Sequence, residues 1–339
     1  MTSARIWIFA VSLCTFLLRA SAVAGTPAED QAAYFKTPAW LGQQYVGHDE
    51  WTKLDALVDQ LAASRERADD GRFQLYMLTS KIDEWLELWD EDQDANFRQK
   101  FEEYRTEIPN SAFEPILAAM QVHATAWRAR GRGFSSSVTP EGWALFAERS
   151  ELAWKMLIAA KSTSSRLPTW YEQSIAVGLD ARVADTEVTA LFNEGIRRFP
   201  GYHPLYFTYA RQFSPRWGGS YEAADAFIRS QVSAKTNPEG EILYARLYWL
   251  IDQFGGGDAD FFTESLVDWP RMRKAFELLM KQFPTSAWNQ ANLVSFACRV
   301  GDADTYVKWR ITVDADRFQG AAPDGISLEV CDARFAKKA

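Results

Sequence analysis

The sequence predicts an all-α protein made of stacked antiparallel helix pairs, an irregular α-solenoid similar to tetratricopeptide arrays. Apolar residues recur at the helical period along most of the chain, and alternation typical of strands is scarce. A phenylalanine also stands eight residues before a proline at three places: Phe101 to Pro109, Phe192 to Pro200 and Phe276 to Pro284. Each proline closes one helical pattern and precedes another, as in successive helix pairs.

The apolar stripes define the individual helices. Residues 51–61, 75–89, 113–127 and 269–283 each carry apolar side chains three or four positions apart, on one helical face. Capping residues, prolines and turn residues between the stripes predict helix starts. These lie near residues 49, 72, 94, 111, 140, 169, 186, 203, 220, 238, 269, 286 and 303. About a dozen helices without a strand define the all-α class.

Local start signals support several of these boundaries. Ser111 with Glu114, and Thr169 with Glu172, have the spacing of a capping box, in which side chains and backbone satisfy each other's unpaired groups. Thr139 precedes a proline, which is favoured at the first helical position because its missing N–H costs nothing there. Helices are therefore expected to begin at these three places.

The first 24 residues have the features of a secretory signal peptide: a basic start at Arg5, an apolar core over 6–18 and small residues before the cleavage point. We expect a periplasmic or secreted protein without stable membrane insertion after cleavage, because this core is shorter than the ~20 residues that span a bilayer. The predicted organisation is a signal peptide over 1–24, an N-terminal extension over 25–48, a helical-repeat domain over 49–313 and a C-terminal tail over 314–339.

Charge restricts the partners. Cleavage removes Arg5 and Arg19 and no acid, which changes the formal net charge from -8 to -10. Nucleic acid is an unsuitable partner, because a phosphate backbone selects basic surfaces. Sugars, small molecules, peptides and proteins remain, and we expect a protein or peptide. With 47% apolar residues and 14 tryptophans, the chain can bury a large core without a metal or cofactor.

Cysteines and histidines give few chemical signals. Cys298 and Cys331 remain after processing, and either a disulfide or two buried thiols is compatible with the sequence. His48, His123 and His203 are scattered, so no metal site is predicted. Nucleophile elbows, phosphate-binding glycine loops and Cys-x-x-Cys pairs do not occur. We therefore predict no catalytic residue and no cofactor.

Candidate ligand contacts come from three stretches that combine cationic, aromatic and glycine residues. They are Arg128 and Arg130 at a helix end, Arg216, Trp217, Gly218 and Gly219 in a turn, and Trp269 and Arg271 at a helix start. If the arginines of the first two stretches converge, they can clamp a carboxylate or phosphate. Each stretch also has a structural interpretation, because cations complement a helix C-terminus and glycines permit sharp turns.

The same stretches carry a family resemblance. Asp-Gly-Arg at 70–72, Ala-Trp-Arg-Ala-Arg-Gly at 126–131 and Pro-Arg-Trp-Gly-Gly-Ser at 215–220 resemble the bacterial family catalogued as domain of unknown function 4034, as do 244–249 and 268–273. The resemblance extends from about residue 50 to residue 310. It implies a helical repeat and assigns no substrate or catalytic residue.

The leading functional prediction is an exported scaffold that binds a protein or peptide, as arrays of helix pairs do on their concave surfaces. One alternative is an α/α-barrel glycoside hydrolase, with Glu102, Glu103, Glu172 and Asp268 as conceivable acids. A carbohydrate-binding protein of the cell envelope is a related alternative. A purely structural or inhibitory protein that blocks a partner's active site is the remaining one.

Overall fold

The computed structural model describes residues 34–89, 91–131, 133–255, 261–323 and 326–336. These residues form eighteen α-helices and no strand, so the all-α prediction is confirmed. None of these helices is both long and apolar enough to cross a bilayer. The chain folds into two compact units: among the described residues the first contains 34–66 and 74–191, while the second contains 67–73 and everything from 192 onward.

The first unit is made of successive helices packed side by side. They are α1 (Pro38–Gly47), α2 (Trp51–Ser64), α3 (Gln74–Leu86), α4 (Glu91–Glu107), α5 (Glu114–Arg130), α6 (Pro140–Ala159), α7 (Lys161–Ser164), α8 (Pro168–Asp180) and α9 (Asp185–Arg198), whose last residues belong to the second unit. Helix α5 packs along α6, α6 along α8, and α1 along α3. Trp51 and Trp170 are fully buried in this core.

Helix α1 lies in the segment that the sequence analysis assigned to an extension. Its buried positions Ala39, Gly42 and Val46 include small residues, so they form no conspicuous apolar stripe. Gly42 lies so close to α3 that a Cβ atom there would stand 2.7 Å from Cγ of Leu78. The extension therefore contributes a helix to the core of the first unit.

The second unit contains α10 (Pro204–Ala210), α11 (Tyr221–Val232), α12 (Ile242–Phe254), α13 (Phe261–Glu264), α14 (Trp269–Gln282), α15 (Ala287–Val300), α16 (Ala303–Arg310), α17 (Ala315–Ala321) and α18 (Leu328–Phe335). Helix α12 packs against α10, α11 and α14, and α15 against α14, α16 and α17. Phe276 is fully buried, and the proline eight residues later follows the end of α14, as predicted.

The predicted C-terminal tail is part of this core. Helices α17 and α18 bury Phe318, Leu328 and Phe335 in one cluster with side chains of α15. A disulfide joins Cys298 of α15 to Cys331 of α18, with the Cα atoms 5.7 Å apart. The bond attaches the last helix of the chain to α15.

A buried network of charges occupies the second unit. Glu239 pairs with Arg67, and its Oε2 lies 3.3 Å from Nε of Arg246. Burial by itself would raise the pKa of Glu239, but Arg246, His203 and Arg67 outweigh burial and hold this pKa well below its ordinary value. The carboxylate is therefore ionised and compensated by cations inside the protein.

The turn at 70–72 supports the same network. Asp70 pairs with Arg72 at 2.6 Å, and both side chains are buried. Gly71 has φ 86°, and a Cβ atom there would meet Nη2 of Arg246 at 2.5 Å. Glycine at this position therefore satisfies both the left-handed turn and the close approach of a buried guanidinium.

Replacing Glu239 by Gln should destabilise the second unit by roughly 3–5 kcal/mol, because Arg246 would remain buried without its counter-charge. Urea denaturation at pH 7, followed by tryptophan fluorescence, measures the change. The matched control is Glu241→Gln, since the Glu241 side chain is 46% exposed in its ion pair with Arg271 and should cost less than about 1 kcal/mol. Equal costs for the two variants would contradict this account of the network.

Removing the disulfide should also destabilise the second unit. The bond closes a sequence separation of 33 residues, for which loop-closure entropy predicts a stabilisation of roughly 3–4 kcal/mol. The double variant Cys298→Ala/Cys331→Ala avoids a free thiol and should lower the urea midpoint. Reduced wild-type protein is the comparison, and an unchanged midpoint in both samples would show that packing alone holds α18.

Candidate functional site

The two candidate arginines of the first unit have internal partners. Arg128, near the end of α5, pairs with Asp94 and donates to the carbonyl oxygen of Leu86. The Arg130 guanidinium lies 5.1 Å from the ring centres of both Trp127 and Trp143. Both arginines therefore fasten the C-terminal end of α5 to neighbouring parts of the same unit.

The candidate residues of the turn at 216–219 lie in the second unit. Arg216 donates to the carbonyl oxygen of Phe254 at 3.3 Å, and the Arg211 guanidinium lies 5.2 Å from the centre of the Trp217 ring. Gly218 has φ 92°, and Gly219 approaches the preceding turn so closely that a Cβ atom would overlap its backbone. These contacts shape the junction before α11.

The last two candidates begin α14. Nε1 of Trp269 donates to Asp302 at 2.9 Å. Arg271 makes two hydrogen bonds to Glu241 and stacks over the Tyr244 ring, 4.2 Å from its centre. The eight candidates thus form three separate groups, one in the first unit and two in the second, and their role in ligand binding stays a prediction.

The four conceivable acids have different environments. Glu102 and Glu103 are exposed on α4, and Glu102 pairs with Arg105. Asp268 caps α14 by accepting a hydrogen bond from the backbone of Arg271. Glu172 alone among the four is inside the protein, with 4% of its surface exposed. Glu172 belongs to a cluster of polar side chains that the sequence did not predict.

Three helices of the first unit surround this cluster. Helices α3, α5 and α8 pack against one another. They contribute Asp83 from α3, His123 from α5, and Glu172 and Asp180 from α8, and the charges of these groups act on one another. Asp83 keeps part of its surface accessible to solvent, so the cluster reaches the protein surface at this residue. We call these four residues the carboxyl cluster.

The start of α8 differs from the start that the sequence predicts. The predicted capping box of Thr169 and Glu172 is wrong, because the helix already begins at Pro168 with Leu167 at the cap position. Thr169 therefore lies within the first helical turn, where it is fully buried. The cap at Thr139 is confirmed by its hydrogen bond from the backbone of Gly142. The box at Ser111 forms only in part: Ser111 accepts a hydrogen bond from the backbone of Glu114, but Phe113 holds the cap position and the Glu114 side chain pairs with Arg105.

The carboxyl groups of Asp83 and Glu172 bind protons unusually well. Burial, together with the charge of Asp83, raises the pKa of Glu172 to about 8. Burial and the charge of Glu87 outweigh the opposing effect of His123 and raise the pKa of Asp83 to about 7. Because the two groups interact, their protons leave in linked steps near neutral pH.

The carboxylate of Asp180, unlike the carboxyl groups of Asp83 and Glu172, has two close polar partners. Its Oδ2 lies 3.0 Å from Nε2 of His123 and accepts a hydrogen bond from Nε1 of Trp127 at 3.2 Å. Two donors thus compensate this carboxylate. Within the described residues, neither Asp83 nor Glu172 forms an ion pair with a lysine or arginine.

Buried polar atoms without partners lie on the same helical faces. Oε2 of Glu172, Oγ1 of Thr169 and Oγ of Ser80 are buried without a hydrogen-bond partner. Thr169 precedes Glu172 by three residues, and Ser80 precedes Asp83 by three, so each hydroxyl shares a face with a carboxyl. Unsatisfied buried polar groups are costly, and together with raised pKa values they make this cluster a candidate functional site.

The second unit has a cavity of about 600 Å³ lined by Arg67, Glu239 and Lys281 with apolar neighbours. Its buried acid, Glu239, is already compensated by Arg67 and Arg246. The carboxyl cluster has no such compensation within the described residues, and it is therefore the stronger candidate site.

No family model, curated protein or solved structure matches this chain. Among the described residues no group of three or more metal-binding side chains is placed to hold an ion. The arrangement instead offers acceptors and proton-binding carboxyls. The sequence carried no signal for Asp83, because this acid lies beside the buried positions of α3 and is not one of them.

Replacing Glu172 by Gln should stabilise the protein at alkaline pH. Folded wild type retains the proton up to pH about 8, whereas the unfolded chain releases it near 4.5, so wild-type stability falls as pH rises between these values. The variant should be more stable by on the order of 3 kcal/mol at pH 9 and nearly equal at pH 5. Urea titrations across this range measure the difference.

The control for this measurement is Glu187→Gln, at an exposed position of α9. Its stability relative to wild type should not depend on pH. A Glu172→Gln effect of constant size from pH 5 to pH 9 would show that Glu172 is ionised in the folded protein.

Proposed function

We propose that this chain is an exported helical-repeat protein that binds a protein or peptide partner at the carboxyl cluster. The observation that carries the proposal is that the buried carboxyl group of Glu172 and the partly buried carboxyl group of Asp83 have no lysine or arginine partner on the described residues. A core selected for stability alone pairs its buried acids or omits them. A group supplied by a partner completes such a site.

Two further features support the parts of this proposal. Residues 1–24, with their signal-peptide features, lie outside the described residues, and export rests on their composition. The disulfide between Cys298 and Cys331 agrees with it, because such bonds persist in oxidising compartments. Helical repeats commonly act by holding partners, and that support is an analogy of fold.

A glycoside hydrolase is the second candidate, favoured by one observation. Glu172, with a pKa of about 8, is protonated at neutral pH, as a general acid must be. Asp83, with a pKa of about 7, can serve as the general base of the same reaction. Hydrolysis of a glycosidic bond requires two carboxyl groups in these roles. The two proposals use the same residues and differ in turnover.

The test isolates a partner and then measures its affinity for the wild-type protein and for variants. Exported wild-type protein is crosslinked to envelope proteins, and the captured partner is identified, purified and titrated against wild type, Asp83→Asn, Glu172→Gln and Glu187→Gln. We expect the first two variants to weaken binding at least about tenfold, because a buried charged contact is lost. The Glu187 variant should bind as wild type does.

Turnover assays on glycans and peptides run in parallel. Partner binding without turnover supports the scaffold. Turnover that disappears in both Asp83→Asn and Glu172→Gln supports the hydrolase and overturns the scaffold. Failure to retain any partner above the level of a matched unrelated exported protein also overturns the scaffold.

A further inference from the structure

We propose that the carboxyl cluster binds a primary ammonium group, such as the side chain of a lysine presented by the partner, between Asp83 and Glu172. The inference rests on the proposed function and names the chemistry of that same site. It follows from the charge, the unpartnered atoms and the access route of the cluster.

Charge selects a cation. Asp83 and Glu172 are acidic, Glu87 adds a further negative charge, and no lysine or arginine of the described residues neutralises the pair. An anion entering here would meet repulsion from every ionised carboxylate. His123 lies 3.0 Å from Asp180 and offsets only part of the negative charge that acts on Asp83.

The unpartnered atoms select an ammonium group. An ammonium has three N–H donors and no acceptor. Oε2 of Glu172 belongs to the cluster, and the hydroxyl oxygens of Thr169 and Ser80 lie on the same helical faces, three residues before Glu172 and Asp83; all three atoms are buried and able to accept. These two hydroxyls carry no charge and do not titrate, so they point to a ligand independently of the carboxyl groups. A compact donor satisfies acceptors on both α3 and α8.

Access agrees with a slender side chain. Glu172 is 4% exposed, and Ser80 and Thr169 are buried, whereas Asp83 keeps part of its surface accessible. A ligand therefore reaches Asp83 first and Glu172 last. The four-carbon stem of lysine carries its charge into such a recess while its apolar methylenes pass between the helices.

Binding must release protons. In the free protein the pair retains protons near neutral pH, and an adjacent ammonium favours the ionised carboxylates, so the protons leave to solvent. The groups that face the pair are Glu87 of the α3 end, His123 of α5 and Asp180 of α8. Affinity should therefore rise from pH 6 to pH 8.

Isothermal titration calorimetry of the whole exported protein tests this chemistry. The probes are Nα-acetyl-lysine amide and its Nε-acetylated form, which has the same stem without the charge. We expect the charged probe to bind at least about tenfold more tightly. Titrations at pH 7 in buffers of different ionisation enthalpy should show release of about one proton per site.

Variants assign the effect to the cluster. Glu172→Gln and Asp83→Asn should each lower the affinity for the charged probe about tenfold or more and reduce the proton release. Thr169→Val should weaken binding without changing proton release, since the hydroxyl does not titrate. Glu187→Gln is the matched control. Because Glu172→Gln is expected to fold stably, its loss of binding is not a loss of structure.

The outcomes separate this inference from the proposed function. Equal affinity for the two probes, no binding of either, or unchanged binding by Glu172→Gln overturns the ammonium site. If a purified partner still binds wild type and Glu172→Gln alike, a scaffold remains and this site is excluded from it. If the charged probe binds with proton release but no partner is found, the ammonium site remains and the scaffold is overturned.

Discussion

The longer helices in the described part of the chain carry apolar stripes that neighbouring helices cover. A single amphipathic helix gains little stability in water from its own hydrogen bonds, and packing against the next helix supplies most of it. The fully buried rings of Trp51 and Trp170 in the first unit, and of Phe276 in the second, lie at such contacts. Within each unit, stability therefore depends on how successive helices bury their faces.

Buried charge is treated differently in the two units. In the second, Glu239 is surrounded by Arg67 and Arg246, and the acid remains ionised. In the first, Asp83 and Glu172 have no cation among the described residues, and they retain protons instead. The compensated charge of Glu239 helps to stabilise the second unit. The uncompensated carboxyl groups of Asp83 and Glu172 lower the stability of the first unit at high pH. Such a loss of stability is common where a site must remain ready for a ligand.

The conspicuous motifs and the candidate site are different parts of the molecule. Arg128 and Arg271 attract attention in the sequence because cations stand beside tryptophan and glycine, yet both bind internal acids. Asp83 and Glu172 look ordinary in sequence, one beside an apolar stripe and the other in an apparent capping box. In our proposal, a partner supplies the positive charge that this pair lacks.

The sequence by itself determined the local structure. Helical period, prolines at helix ends and the cap at Thr139 involve residues within one or two turns of each other, and helix starts follow from them. Only the tertiary structure decided which distant residues meet. Asp83 and Glu172 are 89 positions apart, and Cys298 and Cys331 are 33 apart. Their proximity depends on how several helices pack, and the same packing removes water from the carboxyl groups and sets their pKa values.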